Sequence, residues 1–191
     1  MDSVPHPRKE PRFPGPLTPE NIQKIFQDCA DFRSRSVILH GDLERSVHLC
    51  WIEGMVRGER MNDYVLRPLA QDPMLASLPL HEVYKIMAQG ALYTGGVQMR
   101  TSLDEGAADL VAGCCLVFFP GATEEKRSVG EPENEPALKG ARDSFVESIR
   151  TNTSLVRRRL RAPELRVKEH IVGRQSLTPV DVVYLEGIAD A

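Results

Sequence analysis

Two hairpin-like patterns, separated by a constant interval, constrain the fold of this chain more than any other feature. Residues 47–55 (VHLCWIEGM) and residues 180–188 (VDVVYLEGI) end in the same Glu-Gly pair, and residues 31–33 and 164–166 match at the same interval of 133. Alternation of polar and apolar residues with a period of two predicts strands. Each predicted hairpin follows a predicted helix, so we expect two similar helix-plus-hairpin units, with both copies in one mixed sheet. The alternative, that amphipathic hairpins simply look alike, stays open because two copies are fewer than a solenoid needs.

The remaining elements come from local signals and give a mixed α/β fold class, with helices packed on the sheet. Thr18 and Pro19 predict a helix start, and residues 36–40 and 46–53 are predicted strands joined by a polar loop at 41–45. Helices are predicted over 59–70 and 80–92. Ser102 and Glu105 form a capping-box pattern for a helix that ends near Gly113, and residues 114–119 predict a buried strand.

A charged, proline-rich segment separates this part from a predicted long helix over residues 141–161. Phe145, Ile149, Val156 and Leu160 keep helical spacing and predict its apolar face. The predicted organisation is therefore a disordered proline-rich arm at 1–17, an N-terminal α/β part at 18–123, an acidic loop at 124–139, and an Arg-rich helix with a hairpin at 140–191.

Composition excludes several classes of protein. The chain of 191 residues has 24 Lys and Arg against 27 Asp and Glu, a net charge of −3, which argues against a general nucleic-acid coat. No apolar stretch approaches the roughly 20 residues that a membrane-spanning helix needs. The four cysteines lack metal-ligand spacing and are predicted to be small core residues.

The sequence carries no recognisable catalytic motif, so we expect no enzymatic activity and no cofactor. There is no GxSxG, no HExxH and no glycine-rich phosphate loop. Glu131, Glu133 and Glu135 offer carboxylates that a hard cation would need. Pro132 and Pro136 stiffen that segment, however, so a solvated acidic loop is the favoured interpretation and no metal is expected.

Residues 150–174 hold eight Lys or Arg and two acids. Nucleic acid, anionic lipid head groups and an acidic protein segment are the three kinds of partner considered for this cluster. Because no aromatic side chains are interleaved as stacking platforms, nucleic acid is not expected. The acidic loop is the simpler partner, with its glutamates pairing with Arg142, Arg150 or Arg157.

An ordered set of motifs then covers the second half of the chain. It comprises RSVGEPENE at 127–135, Gly140, FVE at 145–147, RTN at 150–152, Leu155, RRR at 157–159 and VYLEG at 183–187. These motifs closely resemble those of the A-subunit family of spore germinant receptors. The resemblance extends to the earlier WIEG at 51–54 and to the helix and strand over 103–119.

The resemblance implies a cytoplasmic domain that precedes a multi-helix membrane domain, at the cytoplasmic face of the spore inner membrane. It implies a role in the response to nutrients, with other receptor subunits and self-association as partners and a small-molecule germinant as a possible ligand. On this basis the chain is expected to be truncated before the membrane domain. We expect a non-enzymatic coupling module; the alternative is an independent sensor that binds an amino acid or sugar.

The resemblance also selects candidate coupling residues, all within or beside the charged motifs. They are Arg127, Glu131, Glu133, Glu135, Gly140, Arg142, Phe145, Glu147, Asn152, Arg157, Arg158 and Arg159. One departure concerns the short connection between Phe119 and Arg127, where family members have an additional strand. Its loss would leave the strand at 114–119 with an exposed apolar edge.

Overall fold

The first predicted hairpin forms with longer strands and a tighter turn than the sequence pattern suggested. In the computed structural model, which describes residues 12–89, 97–120, 128–130 and 144–188, β1 (Phe32–Leu39) pairs antiparallel with β2 (Asp42–Ile52). The turn consists of His40 and Gly41, with φ of 50° and 76°. Two positive φ angles match the twist of a two-residue hairpin turn. The predicted loop at 41–45 was therefore wrong, because most of it belongs to β2.

The first hairpin continues into a five-stranded antiparallel sheet with the order β1-β2-β4-β5-β3. The added strands are β3 (Gln98–Arg100), β4 (Leu116–Phe118) and β5 (Ser128–Gly130). β4 lies between β2 and β5, so the expected exposed apolar edge is absent. The strand that appeared to be missing is β5, which lies inside the RSVG motif rather than before it.

Both faces of this sheet carry helices, and each face has its own hydrophobic core. On one face, α1 (Pro19–Ile25) and α6 (Leu103–Ala112) pack against Cys50, Ile52 and Leu116. The other face meets a chain of short helices: α2 (Gly58–Met61), a π-helical turn (Asn62–Leu66), α3 (Arg67–Gln71), α4 (Pro73–Ala76) and α5 (Leu80–Ala88). This second face buries Val37, Leu39, Val47 and Leu49.

The capping residue predicted at the start of α1 forms a cap in the structure, whereas the one predicted for α6 does not. Thr18 accepts a hydrogen bond from the Asn21 amide and caps α1 as predicted. At α6, by contrast, Ser102 makes no side-chain cap. The carboxylate of Asp104 instead accepts the backbone amides of Arg12 and Phe13, which holds residues 12–17 of the predicted arm against the body. Gly113 ends α6 in the left-handed conformation, as expected.

The second unit consists of α7 (Ile149–Arg159) followed by β6 (Leu165–Val172) and β7 (Thr178–Leu185). α7 begins eight residues later than predicted, because Ser148 caps it by accepting the Thr151 amide. β6 and β7 form their own two-stranded antiparallel sheet, so the two hairpins do not share one mixed sheet. A parallel bridge joins Val167 of β6 to Cys29, which lies between α1 and β1.

The mixed α/β fold class with two helix-plus-hairpin units is confirmed. The four cysteines are buried free thiols, as their predicted role in the core requires. Desolvation raises the pKa of Cys50 to about 11 and that of Cys115 to about 12. Within the described ranges, no helix is long and apolar enough to cross a bilayer.

Candidate functional site at the junction of the two units

The two units match in register as well as in sequence. Phe32 lies opposite Ile52 in the first hairpin, and their counterparts 133 positions later, Leu165 and Leu185, lie opposite each other in the second. The same backbone hydrogen bond closes each hairpin. The amide of Glu53 donates to the carbonyl of Asp31 at 2.8 Å, and the amide of Glu186 donates to that of Glu164 at 3.0 Å. The sequence repeat is therefore a structural repeat.

Each hairpin ends in the same charged corner. We call residues 53–54 the first corner and residues 186–187 the second corner. Arg33 pairs with Glu53 at 2.5 Å, and its counterpart Arg166 pairs with Glu186. Gly54 and Gly187 follow with φ of 80° and 81°. The repeat thus preserves an arginine–glutamate pair and a left-handed glycine in both units.

α7 packs directly on the first corner. A Cβ atom at Gly54 would lie 2.9 Å from Cβ of Ser154, so only glycine allows this approach. Arg158 donates from Nη2 to the Gly54 carbonyl at 3.3 Å. Arg150 Nε lies 3.9 Å from Glu53 Oε2. The helix of the second unit, α7, therefore packs against both residues of the first corner.

A buried ion pair fastens the same helix to the start of the first hairpin. Arg157 donates from Nε and Nη2 to the two carboxylate oxygens of Asp31, the second bond being 2.8 Å long, and from Nη1 to the Leu165 carbonyl at 3.3 Å. Both side chains are only 1% exposed. Burial acts to lower the pKa of Arg157, but the hydrogen bonds and charge of Asp31 outweigh it, and the pKa is raised. The guanidinium stays charged inside the protein.

Arg166 of β6 forms a second tie between the units. Its Nη1 donates to the carbonyl of Ile25 at 2.5 Å and to that of Pro163 at 3.2 Å, while Nη2 bonds Glu186. Burial acts to lower the pKa of Arg166, but the hydrogen bond to Glu186 helps to raise it, and the pKa is raised overall. One arginine thus contacts the C-terminal end of α1 and the second corner at once.

Arg150 joins α7 to the second hairpin and, more loosely, to the first. It pairs with Glu169 and lies 3.6 Å from Asp181 Oδ2, which also accepts the Thr153 hydroxyl at 2.9 Å. Arg150 Nη1 and Asp181 Oδ1 are buried without a hydrogen-bond partner. In the part of the chain that the structure covers, no group of His, Cys, Asp or Glu side chains is placed to hold a metal ion.

The buried face of α7 is polar, which reverses the predicted orientation of this helix. Its buried residues are Thr153, Ser154 and Arg157. Phe145, predicted to lie on the apolar face, precedes the helix and is 71% exposed, and Leu160 is 40% exposed. The prediction was wrong because the surface that receives α7 offers carboxylates and carbonyls rather than apolar side chains.

The structure brings together some of the predicted coupling residues. Arg157 and Arg158 meet the first unit, with Asp31 as the partner of Arg157 in place of the predicted acidic loop. Asn152 exchanges hydrogen bonds with the backbone of Val146, whereas Glu147 and Arg159 are exposed. The other six candidates lie outside the described residues: Arg127, Glu131, Glu133, Glu135, Gly140 and Arg142.

The sequence pattern did not identify Arg166, or the residues that receive the arginines of α7, as parts of a site. Asp31, Glu53, Gly54 and Arg166 all belong to the repeated segments. The signal that points to them is the repeat itself, because a Glu-Gly corner that recurs with its arginine indicates a shared structural role.

Comparisons with known proteins identify relatives of this chain. A family model described as Bacillus/Clostridium GerA spore germination protein matches residues 20–191. Spore germination protein XA of Bacillus anthracis is 38% identical over 89% of this chain and 36% of its own length. Spore germination protein KA of Bacillus subtilis (strain 168) is 27% identical over 96% of this chain and 36% of its own length. The chain spans about a third of the length of these curated relatives.

A solved structure has a similar fold. The crystal structure of the N-terminal domain of the A subunit of the Bacillus megaterium spore germinant receptor GerK3 superposes with a TM-score of 0.71. The match covers 88% of this chain and 63% of that one, at 24% identity.

Proposed function

The chain belongs to the Bacillus/Clostridium GerA family of spore germination proteins, and on that premise we propose that it is a non-enzymatic coupling domain of a germinant receptor A subunit. In this role it responds to a nutrient signal received elsewhere in a receptor complex and passes a change of conformation toward the membrane part. The observation that carries the proposal is the arginine-built junction between two repeated units.

The chemistry of the junction suits a coupling element. Leu165 and Val167 are buried there, yet neither belongs to the two hydrophobic cores, both of which are built from residues 13–119. The specific ties are instead directional: Arg157 to Asp31, Arg158 to the Gly54 carbonyl and Arg166 to the Ile25 carbonyl. Because the bidentate contact of Arg157 with Asp31 demands one geometry, it favours discrete arrangements over gradual sliding.

We expect α7 to be the moving part of this mechanism. It contacts the first corner through Ser154 and Arg158, and the second hairpin through Arg150 and Thr153. A displacement of either hairpin therefore changes contacts that the same helix makes with the other. A signal that prefers one arrangement of α7 shifts the population of both units together.

The experiment substitutes an exposed arginine of α7 in an intact receptor that carries this domain. Arg158→Glu removes the contact with Gly54 and places a carboxylate near that carbonyl, without disturbing the buried Arg157. The matched control is Arg174→Glu, at the exposed tip of the second hairpin. We expect nutrient-triggered germination to slow for Arg158→Glu alone, at equal subunit levels. Normal germination kinetics in both variants would defeat the proposal.

A solute sensor is the alternative function, and one surface cavity bears on it. The cavity, of about 360 Å³, lies beside α3 and is lined partly by Asp63 and Arg67, which pair with each other at 3.1 Å. A panel of amino acids and sugars tests the alternative by thermal unfolding. A bound ligand at 100 times its dissociation constant would stabilise the domain by about 2.7 kcal/mol. We expect no stabilisation.

A further inference from the structure

Residues 12–17 lie across the N-terminal end of α6, and we call this segment the strap. The backbone amides of Arg12 and Phe13 donate to the two carboxylate oxygens of Asp104, at 2.8 and 2.7 Å. Asp104 lies in the first turn of α6, where the helix dipole favours a negative charge. The beginning of the strap is therefore held by a charged acceptor on a helix that belongs to the body of the protein.

Apolar packing and a backbone bridge hold the rest of the strap. Phe13 and Leu17 pack against the hydrophobic core that contains α1 and α6. Gly106 of α6 makes room for Leu17, because a Cβ atom at this glycine would lie 2.7 Å from Cδ1 of the leucine. Pro16 forms an antiparallel bridge with Ser102, the residue before α6. These contacts fix the strap to α6 along its length.

The side chain of Arg12 leaves the strap and reaches the second unit. Its Nε lies 2.7 Å from Oε1 of Glu164, in the connection between α7 and β6. The carbonyl of the same glutamate accepts the Glu186 amide and so closes the second hairpin. Arg12 therefore ties the base of the second hairpin to α6 by a path that does not pass through α7.

Glu164 is the repeat counterpart of Asp31, and each of these acids is held by an arginine from outside its own hairpin. The two pairs differ in burial. Both side chains of the Arg157–Asp31 pair are 1% exposed, whereas those of Arg12 and Glu164 are 65% and 22% exposed. An exposed ion pair is weak because water competes for both groups, while a buried one is costly to break. The junction thus has a buried tie and a releasable tie at equivalent positions of the repeat.

We propose that the strap regulates the junction as a releasable tie, in which the backbone stays on Asp104 while Arg12 alternately binds and releases Glu164. When Arg12 is bound, the second hairpin is attached through the strap as well as through Arg157 and Arg166. When Arg12 is released, those two arginines act without it, and the hairpin separates from its docking surface more often. The effect of the strap on a receptor rests on the proposed function, whereas the tie itself does not.

Amide hydrogen exchange of the purified chain, followed residue by residue by NMR, tests the tie. The reporter is the Ala30 amide, which donates across the junction to the Val167 carbonyl at 2.8 Å. Arg12→Glu places two carboxylates opposite each other, so exchange at Ala30 should become about two- to fivefold faster. Protection of the Phe13 amide should be unchanged, because Asp104 still accepts it. Arg35→Glu, the same change at an exposed position of β1, should leave Ala30 unaffected.

Two further variants separate the two ends of the strap. Adding Glu164→Arg to Arg12→Glu restores an ion pair with its charges exchanged, and it should return Ala30 to its original protection. Asp104→Ala removes the acceptor of both strap amides, so exchange at Phe13 should rise by about tenfold or more. Exchange at Ala30 should rise with it, because a strap that has left α6 no longer holds Arg12 beside Glu164.

Two results overturn the proposal. One is unchanged exchange at Ala30 in Arg12→Glu while Phe13 stays protected, which would mean that the second hairpin does not depend on this arginine. The other is a failure of Glu164→Arg to restore the protection that Arg12→Glu has lost. In an intact receptor, Arg12→Glu should slow nutrient-triggered germination. Faster exchange at Ala30 together with normal germination would support the tie and count against the coupling function.

Discussion

Replacing Arg157 by methionine should be among the most destabilising single changes in the described part of the chain. Both members of the Arg157–Asp31 pair are 1% exposed, so the substitution leaves a carboxylate buried without its counter-charge. Breaking one side of such a pair costs about 3–5 kcal/mol. For a domain of this size, that corresponds to a fall in the melting temperature of about 6–20 °C.

Urea unfolding followed by circular dichroism measures the effect, and a double-mutant cycle assigns its origin. Asp31→Leu together with Arg157→Met removes both charges and leaves apolar groups of comparable size. The double variant should be more stable than Arg157→Met alone, by about 2 kcal/mol, because no unpaired charge remains. Arg157→Lys keeps the charge but loses the fork that bonds both oxygens of Asp31, and it should be intermediate.

Two results would refute this reasoning. A cost below about 1 kcal/mol for Arg157→Met would mean that Asp31 reaches water or another partner when the arginine is lost. A double variant whose cost equals the sum of the two single costs would mean that the residues act independently. Either result would remove the buried pair as the element that fixes α7 on the first unit.

Two further predictions concern the repeat and the sheet surface. Gly187→Ala should lower the free energy of unfolding by about 1–2 kcal/mol through its positive φ alone, since no atom lies within 4 Å of the added Cβ. Gly54→Ala should cost about 1–3 kcal/mol more, because its added Cβ clashes with Ser154. Equal costs in urea unfolding would contradict the packing of α7 on the first corner. Desolvation lowers the pKa of His48 from 6.5, against a smaller opposing attraction from Glu20. The unfolded chain therefore binds the proton more readily, and the stability contributed by neutral His48 is lost as the pH falls through and below about 6.5. His48→Gln should flatten this dependence when urea midpoints are compared at about pH 7.5 and about pH 5.5; an unchanged slope would show that another group titrates.

Local signals in the sequence were sufficient for much of the fold. Thr18 with Pro19 located α1, Gly113 located the end of α6, and strict alternation located both hairpins. These features depend on neighbouring residues in the chain, so a pattern of a few residues contains the information. The constant interval of the repeat also predicted correctly two similar helix-plus-hairpin units, although it did not reveal that their hairpins lie in separate sheets.

The buried face of α7 could not be predicted in the same way. Helical periodicity identifies the apolar stripe, and it normally marks the face that packs. Here the packing surface is set by Asp31 and by the Gly54 carbonyl, which lie more than 100 residues away in sequence. Nothing in the neighbourhood of Arg157 distinguishes it from Arg158 or Arg159, and only the arrangement of the first unit selects it for burial.

The separation of Arg157 from Asp31 by 126 positions has a consequence for the order of folding during synthesis. Both hydrophobic cores are built from residues 13–119, so most of the strands and helices of this part can assemble while the ribosome is still adding later residues. Until α7 emerges, the carboxylate of Asp31 remains hydrated at an uncovered surface. Docking of α7 then dehydrates both charges in a single late step, whose rate should depend on whether Asp31 still presents both oxygens to the arriving arginine.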